Sequence, residues 1–137
     1  MNKIRPLNHI TAIFVLPAII ALLSMISLHQ TPWVIDAKYK NMKNPVKTDA
    51  TSLATGKDLY MKNCASCHGR TGLGDGVKAR TLETFSGDFS KPAYQEQTDG
   101  ELFGKTKIGR DEMPKYDGII PDEGIWAMII YTRTFKK

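Results

Sequence analysis

An all-α fold is predicted for this chain: one apolar N-terminal helix followed by a small helical domain. Two stretches, about Ser52 to Cys64 and about Pro121 to Phe135, repeat apolar residues at spacings of three and four. A third, Ile10 to Leu28, carries no charged side chain at all. No alternating apolar–polar run marks a strand. With 137 residues the chain holds one domain, which excludes a large multidomain enzyme and a repeat array. Its 42% hydrophobic and 24% charged content excludes both a disordered tail and a fully buried membrane protein. Two cysteines are too few for a disulfide-dense secreted scaffold, and three histidines leave little room for an all-protein zinc site.

The N-terminal element, residues 1–31, reads as a signal anchor. Lys3 and Arg5 precede the apolar stretch, which is interrupted only by Thr11, Pro17, Ser24 and Ser27. A bilayer-spanning helix needs about 20 apolar residues, whereas the apolar core of a signal peptide has about 7–15. The stretch lies between these, but no small-x-small cleavage site follows it, and Trp33 suits an interfacial aromatic. An uncleaved transmembrane helix is therefore expected over a cleaved signal. In both cases the rest of the chain is exported and the basic start stays inside. The net charge of +5 and the pI near 9.2 become a mild basic surplus once Lys3 and Arg5 are set aside. No basic stripe interleaved with aromatics appears, so no nucleic-acid partner is expected.

Residues 32–50 read as a linker. Lys38, Lys40, Lys43 and Lys47 stand among Pro32, Pro45 and few apolar residues, without periodicity. The globular domain then spans 51–137, a size at which a single hydrophobic core is marginal without a staple. In its first helix Leu53, Gly56, Leu59, Tyr60 and Asn63 share a face, and Thr51 or Ser52 is placed to cap the first turn. A weaker helix is predicted over Asp99–Ile108. The last helix opens on Pro121, Asp122 and Glu123, which suit its positive end, and closes near Arg133, Lys136 and Lys137, which suit its negative end. Between the first and last helices lie glycine-rich loops with only short apolar runs.

Cys64-Ala65-Ser66-Cys67-His68 carries the chemistry. Two thiols separated by two residues at the end of a helix reach two vinyl groups on one porphyrin edge, and the histidine that follows lies under the iron. A thioredoxin-like pair would begin a helix after a strand, whereas this pair ends one. A zinc site needs four ligands, and no further Cys or His remains in the domain. A structural disulfide would leave His68 unexplained. For the sixth iron ligand, His9 and His29 lie in the anchor region, which leaves methionines. Met42 is in the linker, Met61 is one turn before Cys64, and Met128 sits among core residues of the last helix, where methionine usually packs. Met113 lies in a loop stiffened by Pro114.

The segment Gly56–Gly76, GKDLYMKNCASCHGRTGLGDG, resembles a class I (monohaem) cytochrome c of the membrane-anchored bacterial type. The likeness extends through Asp88-Phe89, Met113-Pro114 and Trp126–Tyr131. It implies a cytochrome c-like helical domain wrapped around one covalently bound haem c. Cys64 and Cys67 would form the thioethers, and His68 and Met113 would be the axial ligands. It also implies that Gly56 and Tyr60 cross the last helix at Met128 and Tyr131, and that the His68 ring donates to a loop carbonyl. Many relatives carry proline after Gly-Asp-Gly where this chain has Val77, which leaves that carbonyl unassigned. Trp126 is placed either to offer its indole N–H to a haem propionate or simply as core. A basic rim of Lys105, Lys107, Arg110 and Lys115 is expected near the haem edge, opposed by Asp111, Glu112 and Asp117.

A fully ligated iron has no position open for substrate, and no Ser/His/Asp set or carboxylate pair is evident. The expected function is single-electron transfer in a respiratory chain, by an electron carrier and not an enzyme, with the haem domain facing the periplasm. The carrier would be a tethered shuttle or a subunit of a larger redox complex. Its expected partners are a quinol-oxidising complex, a terminal oxidase or a dehydrogenase, with the inner membrane held by the N-terminal helix. If that segment is cleaved, the protein is a soluble periplasmic carrier. The alternatives are a haem-based ligand sensor or peroxidase in which Met113 dissociates, and a thiol oxidoreductase.

Overall fold

The computed structural model describes residues 32–137, and Val34–Lys137 form one compact unit. The predicted anchor, Ile10–Leu28, lies outside the described residues. Among those described, no helix is long and apolar enough to cross a membrane. The secondary structure is helical: α1 Ala37–Lys40, α2 Ala50–Asn63, α3 Ala65–His68, a 3-10 turn Ala79–Thr81, α4 Pro92–Gln95, α5 Asp99–Ile108 and α6 Asp122–Arg133. The one β-type pairing among these residues is an isolated bridge, Arg110 to Met113.

α2 begins two residues earlier than its apolar pattern suggests, because its cap is Asp49 and not Thr51 or Ser52. The Asp49 carboxylate accepts from the Ser52 amide at 2.9 Å, and Ser52 Oγ accepts from the Asp49 amide at 3.0 Å, a reciprocal capping box. A carboxylate at the positive end of the helix dipole adds to the hydrogen bond, which favours Asp over the hydroxyls that follow. α5 has the bounds its pattern predicts and carries a second capping box between Thr98 and Glu101.

The central packing is α2 against α6. Ser52, Gly56 and Tyr60, four residues apart, form the buried stripe of α2. α6 is buried nearly all round, from Gly124 to Ile130, because other elements cover its remaining faces. Gly56 is the point of closest approach: a Cβ there would stand 2.0 Å from the carbonyl oxygen of Ala127 and 3.1 Å from the amide nitrogen of Met128. Only glycine lets the two backbones meet so closely. Tyr60 and Tyr131 sit beside this crossing, ring centroids 5.5 Å apart, so the glycine–aromatic crossing stands where the resemblance implied it. Phe103 of α5 stacks on Trp126 of α6 at 4.1 Å and 7°, so the indole is core. Arg133 ties the end of α6 to the start of α5 through Asp99 at 2.6 Å and the carbonyls of Gln95 and Gln97.

Residues 34–49, expected to be part of an open linker, are folded onto the domain. Ile35 is buried, and Tyr39 packs on Phe103 with centroids 6.2 Å apart. The bare backbone of Gly100 and Gly104 makes the seat, since a Cβ at Gly104 would lie 2.7 Å from Tyr39 Cγ and one at Gly100 would lie 1.9 Å from the Tyr39 carbonyl oxygen. Asn44 Nδ2 donates to the Trp126 carbonyl at 3.2 Å, and Thr98 Oγ1 donates to the Lys40 carbonyl at 2.9 Å. The apolar contacts of this strap, Ile35, Tyr39 and Val46, are only three and stand among lysines and prolines, so the sequence pattern alone hides them.

Candidate haem-binding site

α2 delivers Cys64 at its C-terminus, where the chain bends (φ −117°, ψ −36°) before α3 carries Cys67 and His68. The amides of Cys67 and His68 donate to the Cys64 carbonyl at 3.1 and 2.9 Å, which holds both thiols and the imidazole within one turn. Both cysteines are free and half-buried. Burial, with a smaller contribution from Cys67, pushes the Cys64 thiol up to about 12, so as a free group it stays a neutral thiol.

The His68 ring has a fixed orientation. Its Nδ1 lies 2.7 Å from the Ser86 carbonyl oxygen, which can only accept, so Nδ1 carries the proton and Nε2 keeps its lone pair for a metal. Burial holds the imidazole below its usual value, against the opposing pull of the Ser86 hydrogen bond. Phe89 packs against the imidazole at 4.6 Å and stacks on Tyr94 at 4.0 Å and 15°. Asp88 aims this ring by accepting from the Ser90 amide and hydroxyl at 2.9 and 2.7 Å. The glycine-rich loop closes back on α3, with the Gly74 amide on the His68 carbonyl at 2.8 Å and the Gly76 amide on the Cys67 carbonyl at 3.2 Å.

Met113 stands in the loop between α5 and α6, half-buried. Its amide and carbonyl pair with those of Arg110 at 2.9 and 3.0 Å, closing a tight turn through Asp111 and Glu112. Asp111 takes the left-handed conformation this needs (φ 51°), which short polar side chains tolerate best after glycine. Gly109, also left-handed (φ 65°), lies so close beneath the loop that a Cβ would come within 2.6 Å of the Met113 carbonyl oxygen. Three residues on, Tyr116 donates its hydroxyl to the Asn63 carbonyl at 2.8 Å, immediately before Cys64.

Three other methionines lie among the described residues. Met128 is buried in α6, with its sulfur 4.0 Å from Cys64 Sγ; Met61 packs beside the core from α2; and Met42 belongs to the strap. The basic residues near Met113 are largely matched by acids. Lys107 binds Asp122 through two contacts of 2.7 and 2.8 Å, Lys115 pairs with Asp117 at 3.4 Å, and Arg110 pairs with Asp111 at 3.2 Å. Of the expected basic rim, three members thus stand beside acids, and the fourth, Lys105, donates to Gln97 Oε1.

Sequence reasoning missed two groups. The Ser86 carbonyl is a backbone atom that no residue type betrays. The Glu112 carboxylate, read only as a counter-charge, accepts from the Glu83 amide at 3.1 Å and from the Thr84 amide and hydroxyl at 3.0 Å each.

The residues present fit haem c. Two unpaired thiols lie two residues apart, and an imidazole with a committed Nδ1 follows them. The one buried side-chain polar atom lacking a partner among the described residues, Ser86 Oγ, belongs to the residue that orients the imidazole. By contrast, no three His, Cys, Asp or Glu side chains among the described residues gather to hold a bare metal ion.

Fold and site together define a c-type cytochrome domain of class I. Residues 51–131 match the family described as cytochrome c oxidase, cbb3-type, subunit III, and the chain belongs to this family. It is similar to the KustC0563 c-type cytochrome, at 26% identity and a TM-score of 0.52, over 60% of this chain and 98% of that one. A chain of the Kuenenia stuttgartiensis reducing HAO-like protein complex Kustc0457/Kustc0458 shares the fold, at 20% identity and a TM-score of 0.63, over 80% of this chain and 53% of that one. No curated protein matches. The domain thus binds haem c covalently, and the protein is an electron carrier and not an enzyme.

Proposed function

We propose that this protein carries single electrons on one haem c. Cys64 and Cys67 form the thioethers, and His68 and Met113 are the axial ligands. The Ile10–Leu28 segment tethers the domain to the inner membrane, on the periplasmic side, where it serves a respiratory chain as a shuttle or a complex subunit. Its partners are redox proteins of the kind that oxidise quinol, reduce oxygen or dehydrogenate a substrate. A chain of the reducing HAO-like protein complex shares this fold, which supports a partner-bound role.

The observation that carries the His68 assignment is the Nδ1–Ser86 hydrogen bond, which leaves Nε2 of a neutral imidazole with its lone pair free, one residue after a free thiol. When bound, haem supplies a one-electron couple, and a thioether ligand raises its potential relative to a second imidazole. The chain's part is to keep both ligands still as the charge changes. Ser86 and Phe89 fix His68. Gly109, the Arg110–Met113 pairing and Tyr116 fix the Met113 loop.

The test is Met113→Ala. The reduced wild-type holoprotein should not bind carbon monoxide readily, whereas the variant should bind it, at a lowered midpoint potential. Ready carbon monoxide binding by the wild type would favour the sensor or peroxidase reading. An unchanged spectrum and ligand reactivity in Met113→Ala would reassign the sixth ligand. An intact N-terminus in membranes washed with alkaline carbonate tests the tether, and a mature N-terminus beyond Leu28 would make the protein a diffusing carrier.

A further inference from the structure

Glu112 occupies an unusual position between the two loops that bear on the iron. It is part of the tight turn Arg110–Met113, whose two backbone hydrogen bonds, 3.0 and 2.9 Å, make the turn a rigid unit. Its carboxylate reaches across to another loop and takes three donors there, Glu83 N, Thr84 N and Thr84 Oγ1, at 3.0 to 3.1 Å. Two residues beyond Thr84 is Ser86, whose carbonyl fixes the His68 ring at 2.7 Å. A continuous path thus runs from His68 through Ser86 and Thr84 to Glu112 and Met113. Apart from the covalent chain, its links are hydrogen bonds to ionised or backbone acceptors.

We propose that Glu112 is a positioning residue for the electron-transfer site. Its carboxylate clasps the Met113 loop to the His68-orienting loop and thereby sets how firmly Met113 stays on the iron. This rests on Met113 being the axial ligand. The geometry explains why one side chain can do this. Both carboxylate oxygens are engaged, Oε1 by Glu83 and Oε2 by Thr84, so the contact resists rotation as well as separation. The turn behind it is short and closed, with Asp111 already in the left-handed region, so opening the clasp frees the segment that carries Met113 and not merely a side chain. At its far end the loop is held by the Tyr116 hydroxyl on Asn63 and by the Tyr116 and Asp117 amides on the Lys107 carbonyl. The clasp is the tie on the near end. Because the contact is exposed, its loss should leave the core and the fold intact.

The experiment compares Glu112→Ala, Glu112→Gln, Thr84→Val and Met113→Ala as holoproteins. Three readouts are used: the rate at which the reduced protein binds carbon monoxide, the near-infrared sulfur-to-iron charge-transfer band of the oxidised protein, and the midpoint potential. Glu112→Ala should speed carbon monoxide binding roughly tenfold, the net scale of about one hydrogen bond expressed as loop opening, since water takes over the three exposed contacts that are lost. It should also weaken the charge-transfer band and lower the potential. Glu112→Gln, which keeps one acceptor oxygen, should fall between it and wild type. Thr84→Val, which loses only the hydroxyl donor, should shift the rate by roughly twofold to threefold. Glu83→Ala keeps the backbone donor and should match wild type. If Glu112→Ala lowers the melting temperature but leaves all three readouts unchanged while Met113→Ala moves them, the clasp is merely structural and the proposal falls alone. If Met113→Ala moves none of them, the ligand assignment falls and the proposal falls with it.

Discussion

Gly56→Ala sets two effects of opposite sign against each other. In an isolated helix the change would stabilise, since alanine is favoured over glycine by about 0.8–1 kcal/mol. In this protein the new Cβ would stand 2.0 Å from the Ala127 carbonyl oxygen and 2.6 Å from the carbonyl carbon. Both belong to the backbone of α6, which cannot swing aside as a side chain can. The helices must part by about 1 Å, and a gap of that size forfeits roughly a quarter to a half of each contact's attraction. Tyr60, Ile125 and Met128, all buried in the cluster around this crossing, stand to lose that fraction. At about 1.5–3 kcal/mol for each buried side chain, mid-range values put the loss at about 2–3 kcal/mol. Strain from overpacking adds about 1–3 kcal/mol. After the helix-propensity gain, a net destabilisation of about 2–5 kcal/mol remains. For a domain near 100 residues this lowers the melting temperature by roughly 10–25 °C. Thermal unfolding of the holoprotein, followed by far-ultraviolet circular dichroism, measures it. A melting temperature equal to or above that of wild type would refute the crossing as the point of closest contact.

Tyr39→Ala should destabilise the domain by about 1–3 kcal/mol, because the half-buried ring covers Phe103 and the bare backbone of Gly104. Denaturant unfolding checks this, and a change within about 0.5 kcal/mol, usual for a surface site, would return residues 34–49 to the status of a linker. Electron transfer to a small anionic oxidant should depend only weakly on salt, since Lys107, Lys115 and Arg110 are matched by Asp122, Asp117 and Asp111. A steep fall in stopped-flow rate with ionic strength, removed by Lys107→Gln, would show that the basic residues act unopposed.

Local features are legible in the order of residues alone. Spacings of three and four placed the helices that became α2, α5 and α6, because a helix face repeats every few residues wherever the helix sits. The order Cys-x-x-Cys-His placed two thiols and an imidazole in one turn for the same reason. Proline and glycine marked where the loops must lie. Features that depend on distant or generic groups emerge with the folded chain. Asn44 meets Trp126 across 82 residues, and its residue type in a polar, lysine-rich run does not announce the contact. The acceptor for His68 is the backbone carbonyl of Ser86, 18 residues on. Every residue has such a carbonyl, so its selection is a matter of where the loop runs and not of what it is made from. Glu112 reads in sequence as one acid among several neighbouring charges. Its role emerges because one loop, 28 and 29 residues away, brings two consecutive amides to it. Periodicity encodes which face is buried, but not which loop closes over it, since loop paths are settled by the summed packing of the whole chain.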